Sequence, residues 1–130
     1  MPVSAGPKAI VERLRDAVNA HDLEALMDCY APDIRGEEPT LQDRNFRGND
    51  QLRANWATIF EGLPDLRMEL LDCVEQGDTV WAEWRWYASR PDGSPVGRAG
   101  VIIYDVRDGH VVRLRRYMGP LQDRRLSMVS

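Results

Sequence analysis

The stretch TVWAEWRWYASRPDGSPVGRAGVIIYDVRDGHVVRLRRYM, residues 79–118, decides the fold. Its side chains alternate in character with a period of two, the signature of strands with two unlike faces. Pro91-Asp92-Gly93-Ser94-Pro95 interrupts it as a loop, and Arg107-Asp108-Gly109 as a hairpin turn. Strands are therefore expected over 79–90, 96–106 and 110–118. Upstream, residues 66–75 read as a further strand, and Gln76-Gly77-Asp78 as the tight turn that joins it to the next.

Before Pro64 the period is helical. Ile10, Val11, Leu14, Ala17 and Val18 fall on one stripe of a helix that starts near Pro7, with Ser4 as its expected cap. Asp22 caps a second helix whose Leu23, Leu26, Met27 and Tyr30 face inward and which Ala31-Pro32-Asp33 stops. Residues 34–38 and 44–47 read as short strands. Gly48 or Asn49 opens a third helix, in which Leu52, Trp56, Ile59, Phe60 and Leu63 recur at steps of three and four until Gly62 and Pro64 end it. Helices followed by a run of antiparallel strands imply an α+β fold with segregated layers. The expected organisation is a tail over 1–6, one domain over 7–120 and a second tail over 121–130.

Composition agrees with one globular domain: 130 residues, 43% hydrophobic and 29% charged. The formal charge of −4 gives nucleic acid no basic face to meet. No apolar run is long enough for a membrane span, and the short polar start does not resemble a signal peptide, so the cytoplasm is the expected compartment. Cys29 and Cys73 form no CxxC pair and are expected as reduced thiols. His21 and His110 are far apart in sequence, and no metal set converges. His21, in a helix junction, suits a structural hydrogen bond; His110 follows a turn and is expected exposed.

Alternation sorts the strands into faces. Val80, Ala82, Trp84, Trp86 and Ala88 make one face of 79–90. With them go Ala99, Val101, Ile103 and Asp105 from 96–106, and Val112, Leu114, Arg116 and Met118 from 110–118. This mostly apolar set belongs under the helices. The opposite set mixes rings with charges: Trp81, Glu83, Arg85, Tyr87, Arg98, Gly100, Ile102, Tyr104, Val111, Arg113, Arg115 and Tyr117. Such an aromatic face suits a homodimer interface centred on Trp81, Tyr87, Tyr104, Arg115 and Tyr117. Glu83 is placed there to pair with Arg85, Arg113 or Arg115; the alternative is a solvated face shielded by arginine stems.

The order helix, helix, short strands, helix, four long strands resembles the nuclear transport factor two-like superfamily, in particular its SnoaL-like and ketosteroid isomerase-like members. The resemblance covers about residues 8–120. Its carriers are Asn19-Ala20-His21-Asp22-Leu23-Glu24-Ala25-Leu26, Tyr30-Ala31-Pro32-Asp33, Gly48, Trp56, Phe60, Gly77-Asp78, Glu83-Trp84 and Asp108-Gly109-His110-Val111. It implies a cone-shaped curved sheet of about six strands, antiparallel or mixed, wrapped by three helices (a cystatin-like or SnoaL-like fold), with an apolar pocket between the layers. Function in such a family is decided by the site.

The resemblance also suggests chemistry. Ketosteroid isomerases carry a carboxylate base in the strand after the second helix, and Glu37-Glu38-Pro39 places Glu38 there. A carboxylate at an apolar wall has its charged form disfavoured, which makes it a better base. The tyrosine and acid that hold the enolate oxygen in those isomerases correspond to Leu14 and Val101, so that oxyanion site is not carried over. The Asp-Arg-Asp set of limonene epoxide hydrolase-like members corresponds to Trp84, Trp86 and Arg116, and the acid of SnoaL-like cyclases also falls at Arg116. Two expectations follow. One is cofactor-independent proton transfer, of isomerase or cyclase type, on a small hydrophobic carbonyl compound. Here Glu38 moves the proton, Arg116 holds the developing oxyanion, and Leu14, Trp56, Phe60, Trp84, Trp86, Val101 and Met118 line the pocket. The other is a non-catalytic domain for hydrophobic-ligand binding or dimerisation, in which the same rings simply fill the core.

Overall fold

A computed structural model of the chain describes residues 6–121. The elements run α1 (Pro7–Asn19), α2 (Leu23–Met27), β1 (Tyr30–Glu37), a 3-10 turn (Gln42–Arg44), β2 (Phe46–Arg47), α3 (Asn49–Gly62), β3 (Arg67–Gln76), β4 (Thr79–Ser89), β5 (Pro95–Arg107) and β6 (His110–Pro120). The six strands form one open mixed sheet in the order β2-β1-β6-β5-β4-β3. β1 and β6 run parallel, and every other neighbouring pair is antiparallel. The α+β class, the helices and the four long strands thus match the sequence reading.

The apolar stripe of α1 (Ile10, Val11, Leu14, Ala17 and Val18) is buried, and the helix packs on β3 and β4. Burying one such aliphatic side chain stabilises by about 1.5–3 kcal/mol relative to exposure. Asn19, at the end of α1, fastens the helix to the sheet. Its amide donates to Met68 O at 3.0 Å, and its side-chain oxygen accepts from Met68 N at 2.7 Å. His21 follows with φ of 54°. Its Nε2 lies 3.0 Å from Leu66 O, and its ring stacks on Phe60 at 4.8 Å between centroids. The histidine is structural, as its junction position suggests.

Local details depart from the sequence reading. α1 is preceded by Gly6, which makes no side-chain cap; Ser4 lies outside the described residues. Asp22 does cap α2 by accepting from Ala25 N. The helix nevertheless ends at Met27, and Tyr30 through Asp33 open β1 instead of stopping a helix. Proline fits there because it falls in the irregular stretch of β1 between Tyr30 and Arg35, where no ladder partner is paired.

The main correction concerns β5. Alternation assigns Val101 and Ile103 to the covered face, with Ile102 and Tyr104 outside. The register instead pairs Ala82 with Ile102 and Val80 with Tyr104. Cross-strand partners share a face, so Ile102 and Tyr104 join Val80, Ala82 and Trp84 in the core. Tyr104 is 1% exposed and its hydroxyl accepts the Nε1–H of Trp84, itself 0% exposed, at 3.1 Å. Val101, opposite Glu83 and Tyr117, faces outward. Ile103 stays buried there because Trp81 and Arg115 flank it in register. A bulge between Asp105 and Val106 then shifts the phase once more, so that Val106 and Val111, not Val112, reach the core.

A candidate ligand-binding cleft

β1 and β6 bring the two central side chains together. Their parallel register sets Gly36 beside Leu114 on the inner face and Glu37 beside Arg115 on the outer one. Two residues beyond the first pair, Glu38 meets Arg116. Arg116 Nη1 lies 3.7 Å from Glu38 Oε1, a charge contact beyond hydrogen-bond length. Side-chain exposure is 13% for Glu38 and 25% for Arg116. The backbone N–H of Glu38 donates to the Asn45 side chain at 2.9 Å, which fixes the loop after β1. The neighbouring Glu37 is engaged elsewhere: Arg113 binds it with Nε and Nη2, and that guanidinium holds its carboxyl below the usual range. Arg113 is thus committed to Glu37, and among the described residues Glu83 makes no ion pair within 4.0 Å with any of its expected partners Arg85, Arg113 and Arg115.

The guanidinium of Arg116 lies over the Trp86 ring at 5.2 Å, a cation–π geometry. Burial pushes the Arg116 pKa down, and the Glu38 charge opposes that shift. Trp86 in turn contacts Trp56 at 5.8 Å, and Trp56 contacts Phe60 at 5.5 Å. Phe46 completes the wall. A Cβ on Gly36 would sit 2.1 Å from the Phe46 ring, so glycine is what lets that ring lie across β1.

Arg116, Trp86 and Phe46 form the neck between two spaces, with Glu38 at its outer side. An outer cleft of about 770 Å³ opens between α3 and the 42–46 segment, with Glu38, Arg98, Arg116 and Trp86 in its wall. A smaller apolar space of about 40 Å³ continues inward past Leu14, Tyr30, Trp56 and Tyr104. Phe46, Asn55, Ile59, Trp86, Leu114 and Arg116 belong to both. Burial raises the pKa of both Tyr30 and Tyr104, which keeps their hydroxyls neutral. Four buried donors lack a partner among the described residues: Trp86 Nε1, Arg98 Nε and Arg116 Nε on this wall, and Arg115 Nε on the opposite face of the sheet.

The residues expected around the site divide. Glu38, Arg116, Leu14, Trp56 and Trp86 converge on the two spaces. Trp84 lies beneath them as pure core, bonded to Tyr104. Phe60 and Met118 pack against the core without lining either space. Val101 is on the other face of the sheet, and Asp105, away from the cleft, accepts from the Thr79 hydroxyl at 2.8 Å. Tyr30, Phe46, Asn55, Arg98 and Tyr104 are lining residues that sequence reasoning does not place there. Among the described residues no cluster of His, Cys, Asp or Glu is positioned to hold a metal ion, both cysteines are free thiols, and no helix is long and apolar enough to cross a membrane.

The family model described as SnoaL-like domain matches residues 11–114. No curated protein matches the chain significantly. Among solved structures, AclR from Streptomyces galilaeus, provisionally assigned as a hydroxylase, superposes with a TM-score of 0.77 at 20% identity, over 95% of this chain and 93% of that one. IdmH from Streptomyces antibioticus, provisionally assigned as a polyketide cyclase, gives 0.76 at 22% identity over 96% of each chain. Rv0760c from Mycobacterium tuberculosis, solved with estradiol-17β-hemisuccinate, gives 0.75 at 18% identity, over 88% of this chain and 99% of that one. At these identities the likeness is one of fold.

Proposed function

The chain belongs to the SnoaL-like domain family, and from that premise we propose that it is a small-molecule enzyme catalysing cofactor-independent proton transfer, of isomerase or cyclase type, on a hydrophobic carbonyl compound. The observation that carries this reading is the Glu38–Arg116 contact at 3.7 Å in the neck between a wide cleft and an apolar interior. Glu38 takes a proton from the carbon next to the carbonyl and returns it at a second position. Arg116 receives the negative charge that grows on the carbonyl oxygen, the role in which fixed charges contribute most to catalysis. A pair without a mutual hydrogen bond leaves both groups free to engage the ligand. Trp56 and Trp86 provide flat apolar walls for its body. That the solved relatives include chains provisionally assigned as polyketide cyclases fits a substrate of this class.

Exchange of carbon-bound protons reads the reaction without the natural substrate. The protein should accelerate deuterium uptake at the acidic α-carbon of 2-tetralone in D₂O, followed by NMR, and Glu38→Gln should lower that rate by roughly 100-fold or more. Equal rates for the two proteins would remove Glu38 as the base. If 2-tetralone raises the melting temperature while neither protein exchanges its protons, the cleft is a binding site only.

The outer face of the sheet supports a second part of the proposal, a homodimer. Trp81 is 50% exposed and Val74, its cross-strand neighbour, 58%; Tyr87 and Tyr117 share the face at 43% and 42%. Glu69 and Glu83 stand among Arg85 and Arg115 on the same surface, which makes it complementary to a second copy of itself. Tyr104, in the core, takes no part.

A further inference from the structure

Two of the three arginines that line the cleft, Arg44 and Arg98, have no carboxylate within 4.0 Å among the described residues, and only Arg98 lies on the inner wall beside Trp86 and Arg116. Glu37 is bound by Arg113 and Glu38 faces Arg116. Asp43 and Arg44 are exposed at the rim, and neither makes an ion pair within 4.0 Å among the described residues. Arg98 makes no ion pair within 4.0 Å among the described residues. It sits in β5 directly opposite Trp86 in the β4–β5 register, and both side chains line the same wall as Arg116. Arg98 also lies near enough for its charge to oppose that of Arg116. The cleft lining as a whole balances three acids (Glu37, Glu38 and Asp43) against three arginines (Arg44, Arg98 and Arg116), but beside Trp86 two neighbouring guanidiniums face one carboxylate, a local excess of positive charge.

The unpartnered donors point the same way. Trp86 is only 7% exposed, yet its indole N–H has no acceptor, and neither do the Nε–H groups of Arg98 and Arg116. Buried donors are nearly always satisfied in folded proteins, and exceptions call for a specific explanation. Three on one wall, two of them cationic, are complementary to a group rich in acceptors and carrying negative charge. A guanidinium fork suits a planar carboxylate or a similarly delocalised oxyanion.

We infer that the cleft binds hydrophobic compounds bearing an anionic oxygen group, a carboxylate or an acidic enol, with that group held by Arg98 and Arg116 and the apolar body against Trp86. The inference rests on the reading of this cleft as the ligand site, and it narrows the substrate class from hydrophobic carbonyl compounds in general to acidic ones. Arg98 becomes the residue that selects charge.

Calorimetric titration of the full chain with 2-naphthoate and its neutral isostere 2-naphthamide is the test. The acid should bind about tenfold more tightly or better at low salt, with the preference shrinking as ionic strength rises. Arg98→Met keeps the stem and removes the charge, and should bring the two affinities within about twofold of each other. Arg98→Gln serves if that variant does not fold, and Arg85→Met, an exposed arginine of the outer face, should keep the preference intact. Equal binding of acid and amide, no binding of the acid, or a preference that survives loss of Arg98 would each overturn the inference. Because binding is read rather than proton exchange, an acid preference in a protein that exchanges no protons would uphold this inference and sink the catalytic proposal. Proton exchange without the preference would do the reverse.

Discussion

Replacing Tyr104 by phenylalanine separates the two possible phases of β5. In the structure the Tyr104 hydroxyl is the acceptor for Trp84 Nε1 at 3.1 Å, and both side chains are essentially inaccessible to water. Removing the oxygen leaves the ring volume almost unchanged, so little cavity cost arises. It does leave the indole N–H buried without an acceptor, a penalty of about 1–3 kcal/mol. With an unfolding entropy typical for a chain of this size, each kcal/mol moves the midpoint by about 4 °C, so a fall of roughly 4–12 °C is expected. Thermal and urea denaturation measure it, and a double-mutant cycle with Trp84→Phe should return a coupling of about 0.5–3 kcal/mol. Were Tyr104 on the outer face, the same substitution would stay within about 0.5 kcal/mol of wild type. A neutral result, or a cycle with no coupling, would refute the register on which the inner space depends.

Three further outcomes are expected. Gly36→Ala places a methyl 2.1 Å from the Phe46 ring; the ring must move, so stability should drop by about 1–3 kcal/mol, and 2-tetralone binding, followed by thermal shift, should change with it. Glu37, held below its ordinary value of 4.5 by Arg113, binds a proton more weakly folded than unfolded. Its contribution is therefore present above that value and lost as pH falls through the lower folded one; melting curves of wild type should decline there more steeply than those of Glu37→Gln. Trp81→Glu puts a charge on the outer face and should convert a dimer to monomer in sedimentation experiments at micromolar concentration. A wild-type protein that is monomeric there would exclude the interface.

Element types were largely legible in the sequence because period carries them. The α1 stripe, the Asp22 cap and the alternation of β4 each rest on local spacing, and each is present in the structure. Half of the neck was legible too: Glu38 from its Glu-Glu-Pro context, and Arg116 from the alternation of β6. The phase of β5 was not, because both of its faces carry large apolar residues. Ile102 and Tyr104 compete with Val101 and Ile103, and only pairing with β4 decides between them. Gly100 helps to fix that pairing: its φ is 153°, and a Cβ there would meet the Tyr117 carbonyl at 2.0 Å. No periodicity announces such an approach. Contacts made across long sequence separations were equally hidden. The Asn19 clasp on Met68 spans 49 residues, and Phe46 comes to lie over Gly36 only because β2 folds back on β1. Arg98 looked like an outer-face residue by the same alternation that misplaced Tyr104.

The most direct test of the ligand site is a crystal structure of the protein with 2-tetralone bound. Its carbonyl oxygen should lie within hydrogen-bond reach of the Arg116 guanidinium, with the α-carbon facing the Glu38 carboxylate and the ring between Trp86 and Trp56. A ligand seated instead in the shallow groove lined by Arg15, Arg67 and Tyr87, or a cleft left empty at saturating ligand, would contradict it.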